Sequence, residues 1–148
     1  MRDINTIIVH HSASPDTWDV ARIDKEHKER GFSGIGYHYL LHRDPGTGVW
    51  LVSQGRPVDQ VGAHDQGQNS DSIGICLAGN YSDGPIPAAA WETLLMVVAA
   101  VCKRFGLTQV NVEGHRENEP KETPTECPGK NFDLEKLRHG IANKLMWV

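Results

Sequence analysis

TIIVHHSA, residues 6–13, is the stretch from which the fold of this 148-residue chain is best inferred. Thr6 to His10 form a short, β-branched and nearly continuous apolar run, which is typical of a strand buried on both faces. A strand of this kind lies inside a sheet that helices cover on both sides. His10 then stands at the carboxyl end of the strand, where sheet-based proteins usually assemble their sites.

The remaining hydrophobic pattern predicts an α/β fold in a single domain that covers residues 1–148. Strand-like and helix-like segments alternate along the chain, but two of the strands are joined by a short turn as a hairpin. We therefore predict a central mixed β-sheet flanked by about three helices. The expected strands cover 6–10, 35–42, 49–52, 72–77 and 110–112; the expected helices cover about 19–30, the segment from Pro87 to Gly106, and the segment that Asp133 caps.

Composition argues against several classes of partner. The formal net charge is −4 and charged residues make up 23% of the chain, so bulk electrostatics do not indicate a nucleic-acid partner. No apolar run approaches the ~20 residues that cross a bilayer, and we expect no membrane insertion. The start MRDINTIIVHH lacks a basic segment followed by an apolar stretch and a cleavage site, so we expect no signal peptide. We also expect a monomer.

The three cysteines differ in their sequence surroundings. Cys76 falls in an apolar strand-like run and Cys102 on the apolar side of a helix, so both are predicted to be small buried hydrophobes. Cys127 lies in polar loop sequence, between Glu126 and Pro128. With an odd number of cysteines and no signal peptide, a disulfide scaffold is not expected.

His10, His115 and Cys127 form the constellation that carries the most chemistry. Neutral imidazoles and a thiolate are ligands that zinc prefers, and three protein ligands leave a fourth position for water, as in catalytic zinc sites. This favours a zinc-dependent hydrolase. The spacing matches neither a zinc finger nor an HExxH helix, so the residues alone leave a loop histidine and a stray thiol as an equal alternative. A thiol in a Pro-flanked turn is, however, prone to oxidation unless a metal occupies it.

Five segments occur in one order along nearly the whole chain and carry a family resemblance. They are IIVHHSAS (7–14), GIGYHYLLHRD (34–44), VGAHDQGQNSDSIGICLAGNY (61–81), EGHRE (113–117) and TECPGKNFD (125–133). With them the chain resembles the zinc-dependent N-acetylmuramoyl-L-alanine amidases of the amidase-2 and peptidoglycan recognition protein family, most closely the phage amidase-type lysozymes. The resemblance implies that His10, His115 and Cys127 bind one Zn²⁺, with His11 as a less favoured alternative to His10.

The same resemblance implies roles for four further residues. Tyr37 matches the tyrosine that relatives use beside the zinc, and Thr125 occupies the second catalytic position. Phage amidase-type lysozymes carry a lysine there, whereas catalytic recognition proteins carry a threonine. Lys121 and Lys130 are close in sequence and could compensate for the missing charge. His64 and Asn69 match a segment that borders the cleft in relatives, and we expect both to bind substrate. The four residues to which the resemblance gives roles are thus Tyr37, His64, Asn69 and Thr125.

The activity implied is hydrolysis of the amide between N-acetylmuramic acid and L-alanine, with peptidoglycan or muropeptides as the substrate. Without a signal peptide, the expected role is that of a phage or prophage endolysin, which stays in the host bacterial cytoplasm until it is released to the periplasm and cell wall. Two alternatives stay open: a non-catalytic peptidoglycan-binding module and a cytoplasmic muropeptide-recycling amidase.

Overall fold

The computed structural model describes residues 2–118 and 124–146 as three helices and five strands. Within these two ranges, none of the helices has the length and apolar character that a membrane span requires. In chain order the elements are β1 (Thr6–His11), α1 (Val20–Glu29), β2 (Tyr39–Arg43), β3 (Trp50–Gln54), β4 (Ser72–Leu77), α2 (Ala88–Phe105), β5 (Val112–Gly114) and α3 (Leu134–Met146).

The five strands form one mixed sheet in the order β3-β2-β4-β1-β5. β1 pairs in parallel with β4 on one side and with β5 on the other, and β2 also pairs in parallel with β4. β2 and β3 form the antiparallel hairpin. Both β1 and β4 lie in the interior of the sheet, which explains their near-continuous apolar sequences. The predicted α/β fold, a mixed sheet with three helices, is confirmed.

Side chains alternate between the two faces of β1, and each face packs against different helices. Val9 belongs to a large core that includes Leu94 of α2. Cys76 belongs to a smaller core on the opposite face, together with Ile23 of α1. His10 follows Val9 and pairs in register with Cys76. The alternation therefore places His10 on the α1 side of the sheet, at the carboxyl end of β1.

The second strand is shorter than the sequence predicts. It begins at Tyr39 instead of residue 35. The carbonyl oxygens of residues 36–38 accept hydrogen bonds from backbone N–H groups of the 55–63 loop, at 2.8 to 3.1 Å. Residues 36–38 therefore lie outside the regular strand, with a bend at residue 38, and their carbonyl groups hold the 55–63 loop in place.

Two other strand boundaries also differ from expectation. β3 covers Trp50–Gln54 instead of 49–52, and β5 begins at Val112 instead of residue 110. The hydroxyl of Thr108 accepts the backbone N–H of Val110 and so caps a 3₁₀ turn that precedes β5. This local hydrogen bond competes with strand formation, which the β-branched residues alone would favour.

Candidate metal centre and active-site cleft

A cavity of about 910 Å³ opens at the carboxyl ends of β1 and β5. It is lined by the segment after β1, the loop over 63–69, the residues that follow β5 and the loop over 124–127. Residues of α1 and of the segment before β2 complete its wall. The seven side chains proposed from the sequence all line this one cavity: His10, Tyr37, His64, Asn69, His115, Thr125 and Cys127.

His10, His115 and Cys127 lie close enough to hold one metal ion. Nδ1 of His10 is 3.6 Å from Sγ of Cys127, and the ring centroids of His10 and His115 are 4.7 Å apart. The potential ligand atoms of the three residues all lie within 4.8 Å of one another. Two imidazoles and a thiol are a donor set that suits zinc, and three protein ligands leave a position for another ligand. The residues therefore fit a single metal ion.

A series of hydrogen bonds behind His10 determines which of its ring nitrogens faces the cluster. The hydroxyl of Ser72 donates to the carbonyl oxygen of Gln68 at 2.6 Å, so it accepts from Nε2 of His64 at 3.2 Å. His64 then accepts at Nδ1 from Nε2 of His10, which is 2.9 Å away. Because Nε2 of His10 carries the proton, its Nδ1 presents a lone pair toward Cys127 and the metal position.

His64 is thus a neutral acceptor inside the protein. Burial, followed by the proximity of His38 and His115, lowers its pKa to about 3, and it is 8% exposed. Its contacts support a role in holding His10. Substrate contact by His64 stays a prediction.

Asn69 is the other residue expected to contact substrate. Its side-chain oxygen accepts the backbone N–H groups of His64 and Asp65, both at 2.9 Å. The oxygen therefore holds the 63–69 loop in shape. Contact between Asn69 and substrate also stays a prediction. Such a contact would use the side-chain NH₂ group of Asn69.

Cys127 is partly exposed, and its sulfur accepts the backbone N–H of His11 at 3.4 Å. Arg116 holds the loop from the other side: its backbone N–H donates to the carbonyl of Cys127 at 2.8 Å. Its guanidinium donates to the carbonyls of Glu126 and Gly129. Arg116 thus orders the loop that carries the cysteine.

His11 does not take part in the ligand cluster. Its Nδ1 accepts the backbone N–H of Tyr81 at 3.1 Å, on the face of β1 opposite to His10. Burial is the main cause that lowers the pKa of His11, which keeps the ring neutral. The structure supports His10 over His11 as the ligand.

Tyr37 lies beside His10, with ring centroids 5.1 Å apart, and beside His27 at 5.3 Å. Burial, followed by the proximity of Cys76 and Cys127, raises the pKa of Tyr37 well above its ordinary value of 10. The phenol therefore keeps its proton at neutral pH. It is suited to donate an O–H hydrogen bond and not to act as a base; in the structure its hydroxyl pairs with the thiol of Cys76.

Thr125 lines the cavity close to the cysteine. Its hydroxyl oxygen accepts the backbone N–H of Cys127 at 3.2 Å, which leaves the hydroxyl proton able to donate elsewhere. Lys121 lies outside the described residues. Lys130 is exposed and does not line the cavity. Its Nζ lies 3.6 Å from a carboxylate oxygen of Glu126.

The other two cysteines behave as the sequence predicts. Cys76 and Cys102 are fully buried. Burial raises the pKa of both thiols, that of Cys102 to about 11. Both stay protonated and pack in the interior, and the thiol of Cys76 also pairs with the hydroxyl of Tyr37.

Sequence reasoning did not single out Ser72, Asp65 and Asn118, although all three are buried around the ligands. Asp65 lies 3.4 Å from His115 and accepts a hydrogen bond from Asn118. The available signal for Asp65 was its position directly after His64 in the AHDQGQN segment. Asn118 gave no signal, because 53 residues separate it from its partner.

Known proteins that resemble this chain are described as N-acetylmuramoyl-L-alanine amidases, phage endolysins or peptidoglycan recognition proteins. The Amidase_2 family model, described as N-acetylmuramoyl-L-alanine amidase, matches residues 1–130. The endolysin of Klebsiella phage KP32 is 34% identical over an alignment of 140 residues, and the match covers 91% of this chain and 85% of that protein. The solved structure of N-acetylmuramoyl-L-alanine amidase LysC from Clostridium intestinale matches with a TM-score of 0.79 and 30% identity, over 93% of this chain and 85% of that one. The ectodomain complex of peptidoglycan recognition proteins LCa and LCx bound to tracheal cytotoxin matches with a TM-score of 0.72 and 26% identity, over 88% and 79% of the two chains.

Proposed function

This chain belongs to the Amidase_2 family of N-acetylmuramoyl-L-alanine amidases, and we propose that it hydrolyses peptidoglycan with one zinc ion held by His10, His115 and Cys127. The bond hydrolysed is the amide between N-acetylmuramic acid and the L-alanine of the stem peptide. The observation that carries the metal assignment is the donor set itself: two imidazoles and a thiol within 4.8 Å of one another, in an open cleft.

The amide is unactivated, so its hydrolysis needs a strong nucleophile and a polarised carbonyl. Zinc bound at these three ligands supplies a water-derived nucleophile at neutral pH and Lewis acidity toward the carbonyl. His64 keeps His10 in the tautomer whose Nδ1 faces the metal position. Tyr37 and Thr125 donate hydrogen bonds to the oxygen on which negative charge develops. Because threonine is neutral, it supplies this second donor without adding charge.

The substrate and its location follow from the same assignment. His64 and Asn69 line the cleft, and we propose that both contact the substrate there. The protein acts as a monomer on peptidoglycan or muropeptides, without nucleic acid. As a phage or prophage endolysin, it collects in the host cytoplasm and reaches the wall on release; this role is supported by curated relatives of 33–34% identity that are named phage endolysins.

Product analysis of purified peptidoglycan tests this proposal. The expected result is the release of L-alanine amino termini without new saccharide reducing ends, since an amidase leaves the glycan intact. His10→Ala should abolish this release. His42→Ala is the matched control, because His42 is also buried but bonds to Ser53 between β2 and β3 and does not line the cavity.

The alternatives give different results in the same assay. A folded, zinc-loaded protein that binds peptidoglycan without releasing L-alanine termini would be a binding module, and the amidase assignment would be wrong. Cleavage of soluble muropeptides with no cleavage of intact sacculi would identify a recycling amidase and contradict the endolysin role.

A further inference from the structure

Asp65 carries a buried carboxylate beside the metal cluster, and the mechanism above gives it no role. Its side chain is 1% exposed. One carboxylate oxygen, Oδ1, lies 3.4 Å from Nε2 of His115, and the other, Oδ2, accepts a hydrogen bond from Nδ2 of Asn118. Removing a carboxylate from water is costly unless its charge is compensated and its oxygens are hydrogen-bonded.

The position of Asp65 is behind the ligands and not among them. Among the described residues, the group whose potential ligand atoms approach one another within 4.8 Å consists of His10, His115 and Cys127. Because Nε2 of His115 is the ring nitrogen that lies 3.4 Å from the carboxylate, Nδ1 is the ring nitrogen that remains for the metal. At His10 the Nε2 atom hydrogen-bonds to His64, whereas the group nearest Nε2 of His115 is a carboxylate oxygen.

We propose that Asp65 is a positioning residue that holds His115 in its Nε2–H tautomer and places negative charge behind it, so that the site binds zinc more tightly. The inference rests on the metal site of the proposed function. A carboxylate that accepts from a ligating histidine orients the ring and makes its other nitrogen a stronger donor to the metal.

Asn118 completes this arrangement. It comes three residues after His115, and its backbone N–H lies 3.4 Å from the carbonyl of His115. Its side chain holds Oδ2 of Asp65, so that the carboxylate keeps Oδ1 toward the imidazole. Both ends of the 3₁₀ turn His115–Glu117 are thereby tied to one carboxylate.

The test is the zinc affinity of Asp65→Asn, measured by competition with a chromophoric chelator at fixed pH and ionic strength. The substitution keeps the shape: its amide oxygen can accept from His115, and its NH₂ group can donate to Asn118 once that amide turns over. It therefore removes the charge with little other change. We expect zinc binding about 10- to 100-fold weaker than in the wild type.

Asp3→Asn is the matched control, because it removes the same charge from an exposed position seven residues before His10. It should leave the zinc affinity unchanged. Equal zinc affinity in the wild type and in Asp65→Asn would overturn the proposal, as would an equal loss of affinity in both variants.

A second measurement uses the wild-type protein and does not depend on how any variant folds. Long-range ¹H–¹⁵N correlation of the zinc-loaded enzyme reports which ring nitrogen of His115 carries the proton. A proton on Nε2 is expected, and a proton on Nδ1 would overturn the inference. Neither readout involves hydrolysis: zinc-loaded wild type without amidase activity would contradict the proposed function alone, whereas an unaffected Asp65→Asn would contradict this inference alone.

Discussion

His10 and Thr125 each have one hydrogen-bonding direction committed to the protein, and this determines what each side chain offers to metal or substrate. His10 donates from Nε2 to His64 and so offers the lone pair of Nδ1. Thr125 accepts from the backbone of Cys127 and so offers its hydroxyl proton. The raised pKa of Tyr37, which is due first to burial, likewise leaves an O–H to donate. The side chains therefore present lone pairs to the metal and protons to the substrate.

Tyr37→Phe should lower kcat by about 10²-fold while the zinc content stays at one equivalent, because it removes a hydrogen-bond donor but no ligand. The measurement is kcat for the release of L-alanine termini, together with metal analysis. Tyr39→Phe is the control, since Tyr39 packs against the core on the other side of the sheet. Unchanged kcat in Tyr37→Phe would show that the tyrosine is structural.

Thr125→Val should also lower kcat by about 10²-fold, because valine keeps the volume but cannot donate to the developing oxyanion. Thr125→Ser retains the hydroxyl and should recover most of the activity. Rates of the two variants on the same peptidoglycan preparation check this. If the serine and valine variants are equally slow, the hydroxyl of Thr125 does not contribute to kcat.

How many of these residues could be predicted depends on the kind of signal each one leaves. His10, His115 and Cys127 combine metal-ligand chemistry with recognisable segments, and the structure brings the three together. Asp65 and Asn118 were missed because their roles come from a contact across 53 residues. Single-sequence patterns report local periodicity and residue chemistry, and such a contact exists only after the chain has folded.

The strands also differ in how well their limits could be predicted from the sequence. β4 was predicted with its observed limits, Ser72–Leu77, because a run buried on both faces has an unambiguous pattern. The limits of β2 and β5 were wrong, because backbone hydrogen bonds to a loop and a capped 3₁₀ turn intervened. Boundaries that local hydrogen bonds set are not visible in hydrophobic periodicity.

Gly74 links the backbone of β4 to the metal centre. A Cβ at this position would lie 2.6 Å from Cγ of the His64 ring, closer than carbon atoms approach one another. Gly74→Ala should therefore displace His64 from His10, weaken zinc binding about 10-fold and destabilise the protein by about 1–3 kcal/mol.

Chelator competition and chemical denaturation measure both effects of Gly74→Ala. Gly84→Ala is the control, because a Cβ there meets no atom within 4 Å. If both alanine variants bind zinc as the wild type does, close packing of His64 on β4 is not needed for the site.

The chain as a whole brings the ligands together through its parallel strand pairing. β5 and β4 flank β1 in parallel, so the segments that follow β1 and β5 meet at one edge of the sheet. A mixed sheet could be predicted from the order of elements and the hairpin. The strand order could not, because strand pairing depends on contacts between distant segments.

Buried histidines connect the stability of the whole protein to pH. His27 and His38 accept the backbone N–H groups of Gly36 and Gly74 at Nδ1, at 2.9 and 3.0 Å. A proton on Nδ1 would break these bonds, and burial is the largest cause that lowers the pKa of both histidines below 6.5. Below pH 6.5 the unfolded chain therefore binds protons that the folded chain does not.

The free energy of unfolding should accordingly fall as the pH is lowered from 6.5, by up to about 1.4 kcal/mol per pH unit for each such histidine. Above pH 6.5 this contribution is constant. Denaturant titrations between pH 7.5 and 5.5 measure the slope of the unfolding free energy against pH. A chelator is present throughout, so that loss of bound metal at low pH does not contribute to this slope. His27→Gln keeps an acceptor for Gly36 and should give a shallower slope, whereas a flat profile in the wild type would contradict the account.

Titration of the metal-stripped enzyme with zinc, followed by the release of L-alanine termini from peptidoglycan, is the most direct test of the zinc centre. Wild-type activity should be absent without metal and should saturate at one equivalent. Cys127→Ser should stay inactive at one equivalent, and Cys102→Ala, which changes a buried thiol outside the cleft, should follow the wild type. Full activity without metal, or wild-type activity of Cys127→Ser at one equivalent, would contradict a catalytic zinc held by His10, His115 and Cys127.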